Sequence, residues 1–85
     1  MVRVVVPSVL ATQAEGRARF DVEAETVRDA LRALPVSDLL FNERGELRQH
    51  LNVYVDGTDM RDSGGLACPL AGAHEVRVIA MVSGG

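Results

Sequence analysis

The architecture of this 85-residue chain is clearest at residues 51–57, where the sequence reads LNVYVDG. Apolar residues at positions 51, 53 and 55 alternate with Asn52 and Tyr54, which is typical of a β-strand with one buried face. The Asp56-Gly57 pair that follows is a strong signal for a tight turn. This stretch therefore predicts a half-buried strand that ends in a turn.

Three further stretches predict strands. Residues 2–6 are valines apart from Arg3, which indicates a central strand, and Pro7 should end it. Residues 17–23 alternate strictly between apolar and charged side chains, and residues 75–81 form a largely apolar last strand. Residues 11–16 are polar and contain a glycine, which favours a loop or hairpin turn.

One main helix is predicted after the second strand. Thr26 is a favourable N-cap residue, and Pro35 should end the helix. Apolar residues recur with helical spacing at Val27, Ala30, Leu31 and Leu34. A second short turn, capped by Ser37, is expected at residues 38–41. We expect an α+β domain over residues 1–81, with the helix across one face of a sheet, and a flexible tail at residues 82–85.

The other face of this sheet has no predicted helix to cover it. If the valines at 4, 6, 76 and 78 and the alanine at 80 face the helix, then Val5, Ile79 and Met81 lie on the opposite face, beside Arg3 and Arg77. An exposed apolar patch rimmed by arginine is more often a partner surface than an accident. The alternative is that the irregular segment at residues 59–70 folds over it.

Composition and charge argue against several classes of function. The net charge is −3, so the chain lacks the basic footprint of a nucleic-acid-binding protein. All nine cationic side chains are arginine, because the sequence contains no lysine. The valine run at the start is too short for a membrane span or a signal peptide, so we expect a cytoplasmic protein with no membrane contact.

Side chains offer few candidates for catalysis. The single cysteine, Cys68, excludes an internal disulfide and a four-cysteine metal site, and is expected to be a small buried hydrophobe. His50 and His74 lie far apart in sequence, and the acidic residues show no paired spacing. We therefore expect no catalytic residue, no metal, no permanently bound cofactor and no independent enzyme activity. The terminal carboxylate remains as the reactive group.

The chain ends in Val82, Ser83, Gly84 and Gly85. Glycine has no Cβ, so this end is thin and conformationally free. Four residues reach at most ~14 Å from their anchor. Such a tail suits a carboxylate that enters a narrow channel in another protein, whereas the alternative is a frayed terminus without function.

Several motifs are concentrated after residue 51. They are Asn52-Val53-Tyr54-Val55-Asp56-Gly57, Asp59, Arg61, Ser63-Gly64-Gly65-Leu66-Ala67 and the terminal Gly84-Gly85. Together they resemble the ubiquitin-like sulfur carrier proteins (the MoaD/ThiS family), which include the small subunit of molybdopterin synthase and the thiamine sulfur carrier. Within this family the resemblance favours the CysO-type carriers of cysteine biosynthesis. The resemblance extends over the whole chain in the order of the elements, and its motifs are most specific from residue 51 onward.

The resemblance implies a β-grasp fold, with a mixed sheet of four to five strands and one main helix, and a carrier that is not an enzyme. An ATP-dependent adenylyltransferase of the ubiquitin-activating type would adenylate the carboxylate of Gly85. Sulfur would then replace the adenylate and give a thiocarboxylate, which is a sulfur donor. Gly84 would provide a thin approach to this group, and ATP and magnesium would belong to the activating partner.

The resemblance also implies partners. The face formed by Val5, Ile79 and Met81, together with Val82, would dock on the activating enzyme and on a sulfur-accepting enzyme. In the cysteine branch the acceptor is a pyridoxal-phosphate-dependent synthase, and a zinc protease trims the cysteinyl adduct. The chain departs from the family at residues 72–75, where an Asp-Gly-Asp-type turn is usual, and at residue 80, where proline is common. Both departures bear on the choice of partner.

The sequence is also compatible with two other functions. A ubiquitin-like modifier would be joined through Gly85 to lysines of target proteins, and the same activation step would precede that reaction. A β-grasp interaction module with an incidental Gly-Gly end is the third interpretation. The sequence names neither the final sulfur acceptor nor the oligomeric state.

Overall fold

The computed structural model describes residues 1–81, and the predicted flexible tail at residues 82–85 lies outside the described residues. Over the described range the chain forms five strands, three short α-helices and several 3₁₀ turns. The strands are β1 (Val2–Val5), β2 (Arg19–Val22), β3 (Leu51–Val55), β4 (Thr58–Asp59) and β5 (Glu75–Ala80). The helices are α1 (Ser8–Ala11), α2 (Val27–Arg32) and α3 (Ser37–Leu40).

The five strands form one mixed sheet in the order β2-β1-β5-β3-β4. β1 and β5 are parallel neighbours at the centre, and the other pairs are antiparallel. Because β1 and β5 run in the same direction, both strands end at the same end of the sheet. A mixed sheet of this order with one main helix across it is the β-grasp fold, so the predicted fold class is confirmed.

The turn between β3 and β4 forms as the Asp-Gly pair predicts. Asp56 and Gly57 both have positive φ, at 47° and 87°, which is the geometry of the hairpin turn that this dipeptide favours. Val55 then pairs with Thr58. β4 itself was not predicted, because two residues are too short to show an alternating pattern.

The apolar stripe of α2 is the centre of the core. Val27, Ala30 and Leu31 are completely buried. The helix begins where predicted, since the backbone N–H of Asp29 donates a 3.3 Å hydrogen bond to the Thr26 hydroxyl. Capping of this kind contributes about 1 kcal/mol. Across from α2, the inward side chains of the sheet complete the core with Val4, Val53, Val76 and Val78.

Two local predictions were wrong. Residues 11–16 were expected to be a loop or hairpin turn, but α1 continues into a 3₁₀ turn at Thr12–Ala14 and buries Leu10. The polar residues between the apolar ones hid this helical spacing. Ser37 was expected to cap α3, yet the capping position is Val36, which makes no side-chain cap bond.

The irregular segment at residues 59–70 packs on the helix side of the sheet. Its Cys68 carbonyl accepts a 3.1 Å hydrogen bond from the N–H of Val27, and the N–H of Leu70 donates to the carbonyl of Glu25 at 2.9 Å. Met60, Cys68 and Leu70 are buried in the same core as α2. The segment therefore does not fold over the opposite face, and that alternative is wrong.

Candidate functional site

The face of the sheet opposite α2, here called the open face, has no covering element among residues 1–81. One row of paired residues crosses it from edge to edge, because the strand registers align one residue of each strand. The row is Arg19, Val5, Arg77, Tyr54 and Asp59. The predicted surface is thus a continuous sheet surface that involves all five strands.

Burial alternates along β5 as the sequence predicted. Val76 and Val78 are buried, whereas Ile79 is 39% exposed and Met81, directly after the strand, is 57% exposed. Val5 is half-buried on β1. The structure therefore places the three predicted docking residues on the same face, and their contact with a partner stays a prediction.

Register brings these apolar side chains toward one end of the open face. Val5 pairs with Arg77, so Ile79, two residues further on, is its diagonal neighbour across the strand boundary. Asn52 lies directly opposite Ile79 on β3. Met81 ends the ladder, with its N–H donating a 2.6 Å hydrogen bond to the carbonyl of His50. The apolar residues therefore lie beside the point where the described chain ends.

Charged side chains on the open face form ion pairs, which lie level with residues 75–77 of β5. Arg3 pairs with Asp21 at 3.4 Å, and Arg77 pairs with Glu75 at 3.0 Å. At the β4 edge Arg61 contacts Asp59 at 2.8 Å, and its side-chain hydrogen bonds hold the pKa of Asp59 below its usual value. Exposed pairs like these add little stability. Each of these pairs joins one arginine to one carboxylate, so the three pairs together carry no net charge.

The predicted tail itself, Val82, Ser83, Gly84 and Gly85, lies outside the described residues. What the structure does fix is its point of attachment at Met81, at the end of the sheet where β1 and β5 both finish. Met81, which precedes the predicted tail in the sequence, therefore lies next to the apolar part of the open face.

Sequence reasoning missed one apolar side chain near this end. Val9 is 64% exposed on α1, which follows β1 through Val6 and Pro7. The sequence analysis assigned residues 2–6 to a strand and residues 11–16 to a loop or hairpin turn, and it made no prediction for Val9 between them. The signal that was available is a β-branched residue directly after Pro7-Ser8, where a surface loop is usually polar.

The described residues offer little for side-chain catalysis. They contain no group of three or more His, Cys, Asp or Glu side chains that could hold a metal ion. Cys68 is buried. His74, directly before β5, lies 3.7 Å from Asp56 in the β3–β4 turn, but both side chains are at the surface. No helix among residues 1–81 is both long enough and apolar enough to cross a membrane.

The described residues form several surface cavities, two of which are lined in part by His74. Another cavity, of about 390 Å³, lies between α3 and the following loop and is lined by Arg32, Phe41 and Arg48, with neither His nor Cys among its lining residues. The guanidinium of Arg32 stacks on the Phe41 ring at 5.3 Å from its centroid. This stacking explains the position of the Arg32 side chain, so no bound ligand is needed to account for it.

Comparison with known proteins agrees with this geometry. The model of the ThiS family matches residues 4–85, which includes the terminal glycines. The chain belongs to the ThiS family. The resemblance to ubiquitin-like sulfur carriers that the motifs indicated is thereby confirmed.

Relatives within and around the ThiS family match over nearly their full length. The sulfur carrier protein CysO of Mycobacterium tuberculosis is 29% identical, with 99% of this chain and 98% of that protein aligned. A chain in the crystal structure of the Amycolatopsis orientalis BexX/CysO complex is 28% identical, with a TM-score of 0.83 and complete coverage of both chains. The small archaeal modifier protein SAMP1 of Haloferax volcanii is 33% identical, with a TM-score of 0.75 over 99% of this chain and 98% of that one.

Proposed function

We propose that this ThiS-family chain is a sulfur carrier protein whose sulfur is held as a thiocarboxylate on Gly85. The observation that carries the proposal is the family match through Gly85, together with the end-to-end similarity to the sulfur carrier CysO. The lack of a catalytic side-chain constellation among residues 1–81 supports it. The working group is then the terminal carboxylate, and the folded domain is its carrier rather than an enzyme.

The proposed chemistry has two steps. A carboxylate oxygen of Gly85 attacks the α-phosphorus of ATP, which forms an acyl adenylate and releases pyrophosphate. A sulfur nucleophile then attacks the carbonyl carbon, the bond to the phosphate oxygen breaks, and AMP leaves. ATP and magnesium belong to the activating adenylyltransferase. Because Gly84 and Gly85 have no side chains, they fit the narrow channel that such an enzyme needs to exclude water.

The apolar end of the open face is the proposed docking surface. Val5, Ile79 and Met81 lie together there, and Val82 follows directly. A partner that covers these residues holds the carboxylate at a distance set by a tail of at most ~14 Å. The similarity to a chain of the BexX/CysO complex supports docking of this chain on a protein partner.

The partners follow from the two steps. We propose an adenylyltransferase of the ubiquitin-activating type and a sulfur-accepting biosynthetic enzyme, in the cytoplasm. For cysteine biosynthesis the acceptor is a pyridoxal-phosphate-dependent synthase, and a zinc protease releases the cysteinyl product from the tail. The similarity to CysO favours cysteine over other sulfur-containing products.

A second candidate function is protein modification. The observation that favours it is the 33% identity to the small archaeal modifier protein SAMP1. In that case Gly85 forms an amide bond to a lysine of a target protein. Immunoblots of host extract separate the two functions, because a modifier gives a ladder of heavy covalent conjugates that resists reducing agents.

Removal of the terminal glycines distinguishes a sulfur carrier or a modifier, which both need the carboxylate of Gly85, from an interaction module that does not need it. A variant that lacks Gly84 and Gly85 should fold normally, since β5 ends at Ala80, and should fail to support the host pathway. A second variant, with one alanine added after Gly85, keeps both glycines but moves the carboxylate to the added residue. This variant should also fail to support the host pathway. Full pathway activity of the shortened variant would contradict the proposal.

A further inference from the structure

The activated carboxylate of the proposed function is a strong electrophile. If an amine attacks the acyl adenylate, a C–N bond forms, the bond from the carbonyl carbon to the phosphate oxygen breaks, AMP leaves and the nitrogen loses a proton. A thiol reacts in the same way and gives a thioester. Any accessible amine or thiol of the chain itself would therefore divert the activated group from its partner.

The cationic side chains of this chain cannot act as such nucleophiles. The sequence has nine arginines and no lysine. A guanidinium stays protonated and has no free lone pair, whereas a fraction of any lysine is free amine. Arg3 and Arg77 lie on the open face in ion pairs with Asp21 and Glu75, where lysine would serve the pairing as well. Arginine at these positions keeps the charge and removes the amine.

The single thiol is also out of reach. Cys68 is 4% exposed and belongs to the core on the helix side of the sheet. Its sulfur points at the carbonyl of Pro69 at 3.6 Å, and its own carbonyl bonds to the start of α2. Met81, where the described chain ends, directly follows β5 and is 57% exposed. Attack by Cys68 would require that part of the core to open.

Met1 lies at the far end of the sheet from Met81. Because β1 and β5 are parallel with Arg3 opposite Glu75, Met1 is level with residue 73. Met81 lies about eight residue positions further along, or ~26 Å at the rise of a β-strand. The four residues after Met81 span at most ~14 Å. The Gly85 carbonyl therefore cannot reach the backbone nitrogen of Met1 in its own molecule. Acylation of either histidine would give only an acyl imidazole, which water hydrolyses.

We infer that this chain is built so that it cannot consume its own activated carboxylate. It presents arginine in place of lysine, buries its thiol and holds Met1 at the far end of the sheet from Met81. The inference rests on the proposed function and adds a specificity to it: the acceptor of the activated group must come from a partner. If the chain acts as a modifier, copies cannot be linked to one another through side chains, so each target site receives one copy.

The test uses the full chain with an alkyl thioester at Gly85, which is an electrophile like the adenylate but needs no enzyme. Wild type is compared with Arg77→Lys and with Arg28→Lys in dilute solution by intact mass. Arg77→Lys adds an amine on the open face about 13 Å from Met81 along the strand, within reach of the tail. Arg28→Lys adds the same amine on exposed α2, on the other side of the sheet.

We expect wild type and Arg28→Lys to hydrolyse to the free acid only. Arg77→Lys should also form an internal amide, one water lighter than the free acid, at a level on the order of tenfold above wild type. Internal amide or covalent dimer in wild type at the Arg77→Lys level would overturn the inference, and so would an Arg77→Lys protein that behaves as wild type. Because no activating enzyme takes part, failure of the proposed function is seen separately, as absence of thiocarboxylate.

Discussion

At the scale of single residues, Asp56 joins the β3–β4 turn to the start of β5. Its carboxylate accepts hydrogen bonds from the backbone N–H groups of Glu75, at 2.9 Å, and His74, at 3.1 Å. These bonds, that of Glu75 most of all, hold the pKa of Asp56 below its usual value. A carboxylate with a lowered folded-state pKa stabilises the fold above its unfolded pKa, and this stability is lost as the pH falls through the folded-state pKa.

Replacement of Asp56 by asparagine isolates this effect, because asparagine tolerates the positive φ of 47° and keeps an acceptor oxygen. Asp56→Asn should unfold at lower urea concentration than wild type at pH 7. The gap should narrow as the pH falls below about 4, where the carboxyl group of the unfolded chain becomes protonated, and should close below the lowered folded-state pKa. Urea midpoints at pH 7 and pH 3 measure this, and an equal gap at both pH values would contradict the assignment.

Ile79 is the residue whose role in docking is most readily tested. Ile79→Asp places a charge in the proposed interface, so binding to the activating enzyme should weaken by more than about tenfold, which corresponds to about 1.4 kcal/mol. Leu39→Asp is a matched control, because Leu39 on α3 is equally exposed, at 39%, but lies away from the open face. Calorimetric titration gives both affinities. Equal loss in the two variants, or none in Ile79→Asp, would exclude the open face as the docking surface.

At the scale of elements, the capped start of α2 positions the helix that carries the core stripe. Thr26→Ala removes the hydroxyl that accepts from Asp29 and should lower the free energy of unfolding by about 1 kcal/mol. Thr12→Ala is the control, since that exposed hydroxyl donates to the Ser8 carbonyl at the C-terminal end of α1 and accepts no bond from the start of a helix. Denaturant unfolding of the two variants should differ; if the control is equally destabilised, the capping bond is not the cause.

The elements also show what sequence patterns can and cannot predict. α2 and β3 were predictable because their apolar residues repeat with a clear period over several residues. β4 is too short for a period, and α1 was hidden by polar neighbours and by Pro7. The sequence also did not predict on which side of the sheet residues 59–70 pack. Backbone hydrogen bonds to Glu25 and Val27 determine that side, and no sequence pattern shows them.

At the scale of the whole molecule, the covering elements found within residues 1–81 lie on one side of the sheet. α2 and residues 59–70 share the core on that side, and the other side stays open with Ile79 and Met81 at the end where β5 finishes. That Val5, Ile79 and Met81 share one face was predictable from alternation along β1 and β5, and their role in docking stays a prediction. The row of residues across five strands and the separation of Met1 from the tail were not, because both depend on strand order and register.

The proposed chemistry is tested most directly by the mass of the carboxyl-terminal peptide. The full chain is incubated with the activating enzyme, ATP, magnesium and a sulfide source, and its intact mass and fragments are then measured. We expect the exchange of one oxygen for one sulfur, located on the fragment that contains Gly84 and Gly85, and no exchange when ATP is omitted. A chain that stays unmodified while the enzyme activates its own carrier, or sulfur found on any other fragment, would contradict the assignment of Gly85 as the sulfur-carrying residue.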